Sequence, residues 1–273
     1  MSQNGNIRLF WWSEIQLAGK KKENYGDLVG HYLVEKISGK KAVWTHPKKR
    51  SFLDSFKTVY FTAGSILTQV SGKCVVWGSG IISKEYKIKK AVFLAVRGPQ
   101  TRKHLMTQGY DVPEIYGDPA LLMPRFYNPE RKMQYDLGII PHYADYQIVT
   151  ELYKDQKNVL IIDLMTNDVE SVTDQILKCR RIVSSSLHGV IIAHAYQIPA
   201  VWVKFSENVF GDGIKYQDYF ESVGLENYTP QFLTQALDNS QAELLFSQTN
   251  LLPKAEKIEE IQNNLMDVCP FKK

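Results

Sequence analysis

The chain has 273 residues, 44% hydrophobic and 23% charged, which excludes a disordered, collagen-like or low-complexity protein and leaves room for one large domain or two of roughly 120–140 residues. No apolar run approaches the roughly 18 residues a membrane span needs. The first residues lack the basic-then-apolar pattern of a signal peptide, and three scattered cysteines (Cys74, Cys179, Cys269) exclude a disulfide framework, so a cytoplasmic protein is expected. The net charge of +4 hides an asymmetry, because residues 1–133 hold 22 Lys/Arg against 10 Asp/Glu while residues 134–273 hold 11 against 19. Anionic ligands or an acidic surface are therefore expected on the first half.

Short apolar runs alternate with helical patterns along the chain, the signature of βαβ units and mostly parallel sheets, so the expected class is α/β. In the first half strands are expected at 7–11, 42–44, 58–62, 74–77, 92–95 and 114–116, and helices at 26–37 and 100–108. The polar segment 124–134, with two prolines at the point where the charge balance flips, reads as a linker. The second half reads strand 136–140, helix 145–153, strand 159–162, helix 169–179, strand 181–183, helix 187–196 and strand 200–203, then helices at 216–222, 230–239 and 254–266. The runs 92–96 and 159–162 are continuously apolar, as strands covered on both faces are. The division expected is a basic N-terminal domain (1–125), a C-terminal domain (135–253) and a terminal helical segment (254–273).

No GxGxxG follows the first strand and no GxxxxGK[ST] is present, so dinucleotide binding and P-loop hydrolysis lose support. His188 and His194 lie about 240° apart round a helix, and HExxH is absent; no metal site is expected. Several strand-end turns suit anions. Asn24-Tyr25-Gly26-Asp27 opens the first long helix with caps at hand. Ala63-Gly64-Ser65 and Gly78-Ser79-Gly80 follow strands, where small residues admit a ligand close to the backbone. Arg97-Gly98-Pro99 sets an arginine at a strand end, where its fork suits carboxylate or phosphate. Ser184-Ser185-Ser186-Leu187-His188-Gly189 joins a strand to an apolar helix, placing hydroxyls and an imidazole at a helix N-terminus beside the crevice of an open α/β sheet. Each of these turns, taken alone, also reads as ordinary capping.

Together with Gly117-Asp118-Pro119-Ala120-Leu121-Leu122-Met123-Pro124, Ile140-Pro141-His142 and Ala193-His194-Ala195-Tyr196-Gln197-Ile198-Pro199-Ala200, these motifs, in this order, resemble the polysaccharide pyruvyl transferase family. The resemblance implies two Rossmann-like domains facing across a cleft in a GT-B-like arrangement. The implied activity moves the enolpyruvyl group of phosphoenolpyruvate onto two sugar hydroxyls, giving a cyclic pyruvate ketal and phosphate, with no cofactor. It implies His188 as general acid/base and Arg97 as donor clamp. Asn24, Gly26, Asp27, Gly64, Ser65, Gly78, Ser79, Gly80, Asp118, His142, Ser184, Ser185, Ser186, Leu187 and Lys204 are the expected substrate-binding residues. Many family members carry Arg two positions before this histidine, where Ser186 stands here; Arg180, Arg181 or Lys204 are the candidate replacements.

The partners expected are phosphoenolpyruvate and a sugar or lipid-linked oligosaccharide, in capsule or exopolysaccharide synthesis. Nucleic acid is not among them. The basic first half suits peripheral contact with the inner face of a membrane, and a homodimer is compatible with the sequence. The competing readings are a GT-B glycosyltransferase using a nucleotide sugar and a non-catalytic sugar- or anion-binding protein.

Overall fold

The computed structural model describes residues 5–208, 211, 213–247 and 251–272. Its first half runs β1 (Ile7–Phe10), α1 (Glu14–Ala18), β2 (Glu23–Asn24), α2 (Tyr25–Ser38), β3 (Ala42–Trp44), β4 (Val59–Phe61), β5 (Cys74–Trp77), β6 (Val92–Ala95), α3 (Pro99–Thr107) and α4 (Met123–Phe126). Short 3-10 turns lie at Leu53–Phe56, Leu67–Gln69 and Pro119–Leu122. Five strands form a parallel sheet in the order β3-β1-β4-β5-β6. The chain winds to one side of β1 first and then to the other. The loops leaving β1 and β4 therefore diverge, and a crevice opens where the winding switches.

The second half repeats this plan with β7 (Tyr135–Ile140), α5 (Tyr146–Leu152), β8 (Val159–Ile161), β9 (Met165–Thr166), α6 (Val169–Leu177), β10 (Cys179–Ser184), α7 (Leu187–Ala195), β11 (Ala200–Lys204), α8 (Ile214–Ser222), β12 (Gln231–Phe232), α9 (Asn239–Ser247) and α10 (Ala255–Asp267). Its parallel sheet has the order β12-β11-β10-β7-β8, so β7 and β10 flank the second switch as β1 and β4 flank the first. A two-stranded antiparallel ribbon, β2 with β9, ties the halves together beside α2.

The helices that matter for the site have legible causes. α2 starts where the Asn24 side chain accepts from the Gly26 N–H, and it stops at Gly39 in the left-handed region, φ 66°. α7 is apolar nearly all round and buried, as a helix packed on every side must be. Val29, Leu33 and Val34 of α2, Ala120 to Leu122, and Val190 and Ile191 of α7 belong to one core running through both halves. Helix α10 lies against the first half: Trp77 Nε1 donates to the Leu265 carbonyl at 2.9 Å, and Gln262 Nε2 to the Leu121 carbonyl at 2.7 Å.

Several expectations need correction. The apolar runs 92–96 and 159–162 do form strands, β6 and β8, each the last in its sheet; Phe93, Ala95 and Val96 are buried and Leu94 half-buried, so both faces of β6 are covered although Val92 at its start is 56% exposed. Residues 114–116 make only a single bridge, Tyr116 with Val96. The expected helix at 230–239 is instead edge strand β12, with Pro230 just before it, where a missing N–H is tolerated. The helix starts at Asn239, where Asp238 accepts from the Gln241 N–H. The segment 124–134, read as a linker, packs on the second half: Tyr127 Oη donates to Asp174 at 2.7 Å, and Arg131 donates to the Leu177 and Cys179 carbonyls.

Candidate active site

A cavity of about 680 Å³ lies where the two switch points face each other. The loop after β1 contributes Trp12 and Glu14, and the loop after β4 contributes Gly64 and Ser65. From the other side come His142 and Tyr143 after β7, and Ser186, Leu187 and His188 after β10. Asn24 and Asp27 at the start of α2, and Lys215 near the start of α8, complete the centre. The N-termini of α2 and α7 thus meet at one cavity, each with a partial positive charge and outward N–H groups. Ser186, at the N-cap of α7, spends no side-chain hydrogen bond on capping, so its hydroxyl faces the cavity unused by the helix.

His188 stands at the junction. Its imidazole packs on the Cα of Gly26, so that a Cβ there would fall on the ring. Behind it, Asp118 is wholly buried; its Oδ1 caps the 3-10 turn through the Ala120 N–H at 3.0 Å, and its Oδ2 lies 3.5 Å from His188 Nε2. Both facing atoms are buried and neither has another hydrogen-bond partner among the described residues. That carboxylate, 3.5 Å behind one ring nitrogen, is the group placed to orient the ring, and it leaves Nδ1 as the nitrogen for proton exchange with cavity contents.

Other titratable groups line the cavity, Asp27, Lys215 and His142 among them. Burial raises the Asp27 carboxyl to about 7, with Glu14 and Glu23 adding to the rise and His188 and Lys215 opposing it. Burial lowers the Lys215 ammonium to about 8, and Arg97 pushes the same way while Asp27 opposes. Burial, with Lys215 and Lys20 nearby, lowers His142 to about 4, so this ring is neutral near pH 7. Its backbone N–H donates to Ser185 Oγ at 2.8 Å, and its ring packs tilted against Tyr143, centroids 4.3 Å apart. Proton carriers and cations thus share one partly desolvated space, the arrangement expected of a catalytic pocket.

Other expected site residues lie elsewhere. Arg97 is fully buried, and its nitrogens are engaged with Asp218 Oδ2 at 2.9 Å, Ser65 Oγ at 2.5 Å and the Ile81 carbonyl at 2.7 Å. It cannot clamp a donor directly; it braces Ser65 on the cavity wall. Gly80 leaves room for that guanidinium, Gly78 for Pro119, and Ser79 Oγ donates to the Thr62 carbonyl, so this turn accommodates protein where a ligand was expected. Asp118 supports His188 rather than a sugar hydroxyl. Gly26 contacts His188 and does not itself line the cavity. Ser184 Oγ donates to the Ile140 and Ser186 carbonyls, and Ser185 Oγ reaches Asp145, so both hydroxyls knit the loop together.

Lys204 pairs with Glu207 at 2.9 Å and borders a separate depression of about 510 Å³. Arg180 and Arg181 pair with Asp136, so none of the three candidates replaces the absent arginine at Ser186. The buried-wall cation in the cavity is Lys215, which the sequence reading passed over. Its signal was the Gly213-Ile214-Lys215 opening of a helix shortly after a strand, the same grammar as the other anion-binding turns. Among the described residues no cluster of three or more His, Cys, Asp or Glu is placed to hold a metal ion, and no helix is long and apolar enough to cross a membrane.

The sequence profile of a family described as polysaccharide pyruvyl transferase matches residues 24–206, a span holding Asn24, Asp118 and His188. An uncharacterized protein, L143, of Acanthamoeba polyphaga mimivirus is 35% identical over 214 residues, which cover 76% of this chain and 73% of that protein. Among solved structures, one of the wall teichoic acid polymerase TagF aligns with a TM-score of 0.44 at 10% identity, covering 100% of this chain and 86% of the other.

Proposed function

The chain belongs to the polysaccharide pyruvyl transferase family, and on that premise we propose that it moves the enolpyruvyl group of phosphoenolpyruvate onto two hydroxyls of a hexose, such as galactose in a capsule or exopolysaccharide precursor. The observation that carries the reading is His188, set where the N-termini of α2 and α7 meet and backed by Asp118. A donor bearing a carboxylate and a phosphate suits two helix N-termini and the Lys215 ammonium.

In this scheme protonated His188 delivers a proton to the methylene carbon of the enol, leaving an oxocarbenium carbon that one sugar hydroxyl attacks. The C–O bond to phosphate breaks, the second hydroxyl closes the ketal, and phosphate departs with the remaining proton. His188, having lost its proton to carbon, takes one from an attacking hydroxyl, so one imidazole serves both directions. Asp118 holds the ring from behind. Lys215 and the α7 amides meet the charge that grows on the departing phosphate. Asp27 and Glu14 offer acceptors for sugar hydroxyls in the same cavity.

The direct test is phosphate release from phosphoenolpyruvate over a panel of nitrophenyl galactosides, glucosides and mannosides, with products weighed by mass spectrometry. Acceptor-dependent phosphate together with a ketal-sized mass gain is the expected result. Stabilisation on heating by UDP or GDP, and none by phosphoenolpyruvate, would instead indicate a nucleotide-sugar glycosyltransferase.

A further inference from the structure

The 3-10 turn Leu53–Phe56 carries an apolar knuckle that no described residue covers. Phe52 is 79% exposed, Leu53 78% and Phe56 66%, and the two phenylalanine rings meet edge to face at 5.4 Å. Three neighbouring apolar side chains this exposed mark a surface for a partner. They do not sit on a slack loop. Arg50 pins the segment from beneath, its guanidinium donating to the carbonyls of Pro47 at 3.1 Å, Asp54 at 3.2 Å, Lys57 at 2.7 Å and Ser71 at 2.9 Å. Ser51 Oγ and Ser55 Oγ donate within the turn to Asp54 and the Phe52 carbonyl. The fold thus holds the three side chains outward.

Around the knuckle the charge is positive. Between β3 and β4 the chain reads Thr45-His46-Pro47-Lys48-Lys49-Arg50-Ser51-Phe52-Leu53-Asp54-Ser55-Phe56-Lys57-Thr58, with Asp54 the one acidic residue. That carboxylate is already matched by Lys57 at 2.9 Å and Arg8 at 3.7 Å. Lys48 and Lys49 are exposed beside it. Lys48 also borders the 680 Å³ cavity and donates to the Thr68 carbonyl, so the loop runs from the cavity rim to the knuckle.

We propose that this knuckle is a membrane-docking surface, in which Phe52, Leu53 and Phe56 enter the headgroup boundary of an anionic bilayer and the flanking lysines meet its lipid phosphates. Aromatic and leucine side chains ringed by lysine are the chemistry of interfacial anchors. A second copy of the chain is disfavoured as occupant, because self-pairing would bring Lys48, Lys49 and Lys57 against their own counterparts. An acidic bilayer meets both the apolar tip and the basic rim. The surface stands independently of the transferase reading.

The experiment is co-sedimentation of the full chain with vesicles of phosphatidylcholine, with and without phosphatidylglycerol, at low and high salt. Wild-type protein is expected to bind the phosphatidylglycerol vesicles and to release as salt rises. The variant Phe52→Ser/Leu53→Ser/Phe56→Ser is expected to keep its melting temperature and weaken binding at least about tenfold. Lys49→Ala and Lys57→Ala should each weaken it about fivefold. Lys89→Ala/Lys90→Ala, leading into β6 at the opposite sheet edge, should change it less than the knuckle variants. Phe52→Trp adds a direct probe, whose emission shifts to the blue only in the presence of anionic vesicles. Wild-type protein left in the supernatant, equal binding by the triple serine variant, or a concentration-dependent dimer that this variant abolishes would each overturn the proposal.

Discussion

His188 owes its setting to two residues far from it in sequence: Gly26, which leaves space for the ring, and Asp118, which backs it. Replacing His188 by Ala is expected to lower turnover by about 10²–10⁴-fold. Asp118→Asn should lower kcat by about 10–100-fold with KM for phosphoenolpyruvate nearly unchanged, because it disturbs the ring's tautomer and not donor contacts. Steady-state phosphate release checks both, and an unaltered kcat for Asp118→Asn would leave the aspartate only its capping role. Asp27 carries a prediction of opposite kind. Burial lifts its carboxyl from the ordinary range to about 7 in the folded protein, so between pH 4 and 7 the folded state holds a proton that the unfolded chain has released. Stability from this group is therefore full below pH 4 and lost as pH rises through 7. Asp27→Asn removes that loss, so its advantage over wild type should grow across this window to about 1–2 kcal/mol after allowance for water in the cavity. Urea titrations at pH 5 and 8 check it; activity should fall, since sites trade stability for function.

At the scale of elements, α2 supplies the sharpest test. Gly→Ala inside a helix ordinarily stabilises by about 0.5–1 kcal/mol. At Gly26 the new methyl would meet the His188 ring, so Gly26→Ala is expected to cut kcat at least tenfold while leaving the melting temperature within a few degrees. An active Gly26→Ala enzyme would mean the ring swings away during the reaction. The elements themselves were largely legible, because period-2 and period-3.6 patterns are local and because turns such as Asn24–Asp27 carry their own caps. What failed depended on neighbours. The runs 92–96 and 159–162 are strands as read, but their place at the sheet edges was not legible, since a sequence does not say which strand comes last in a sheet. Lys204 and Lys215 both follow the pattern of a cation near a strand or helix end, yet packing of α8 brings only Lys215 to the cavity. The helix expected at 230–239 gave way because strand pairing with β11 competed successfully with local propensity.

In the whole molecule, the cavity exists only while the two halves keep their relation, and Arg97 is a main fastening. It reaches from the end of β6 to Asp218 of α8, which also accepts from the Thr101 backbone N–H at 2.8 Å and from Thr101 Oγ1 at 2.6 Å. Beside it Gln100 donates to Glu221, and Gly98 allows the Asp218 backbone to pass close. The sequence displayed Arg97 as an exposed fork because its partner lies 121 residues away; nothing local announced a buried pair. Removing either member strands a charge out of water, so Arg97→Ala and Asp218→Ala should each cost about 3–5 kcal/mol. Arg97→Met/Asp218→Leu leaves no orphan charge and should cost much less than the sum of the two, even though it leaves Thr101 short of an acceptor. Denaturant titration of the three variants checks this ordering. A donor clamp makes the contrary forecast: Arg97→Ala would then stay as stable as wild type while KM for phosphoenolpyruvate rose at least tenfold, and that result would return Arg97 to the substrate. If the fastening holds, the double variant should keep measurable turnover at reduced kcat, because Ser65 loses its brace while His188, Asp118 and Lys215 remain in place.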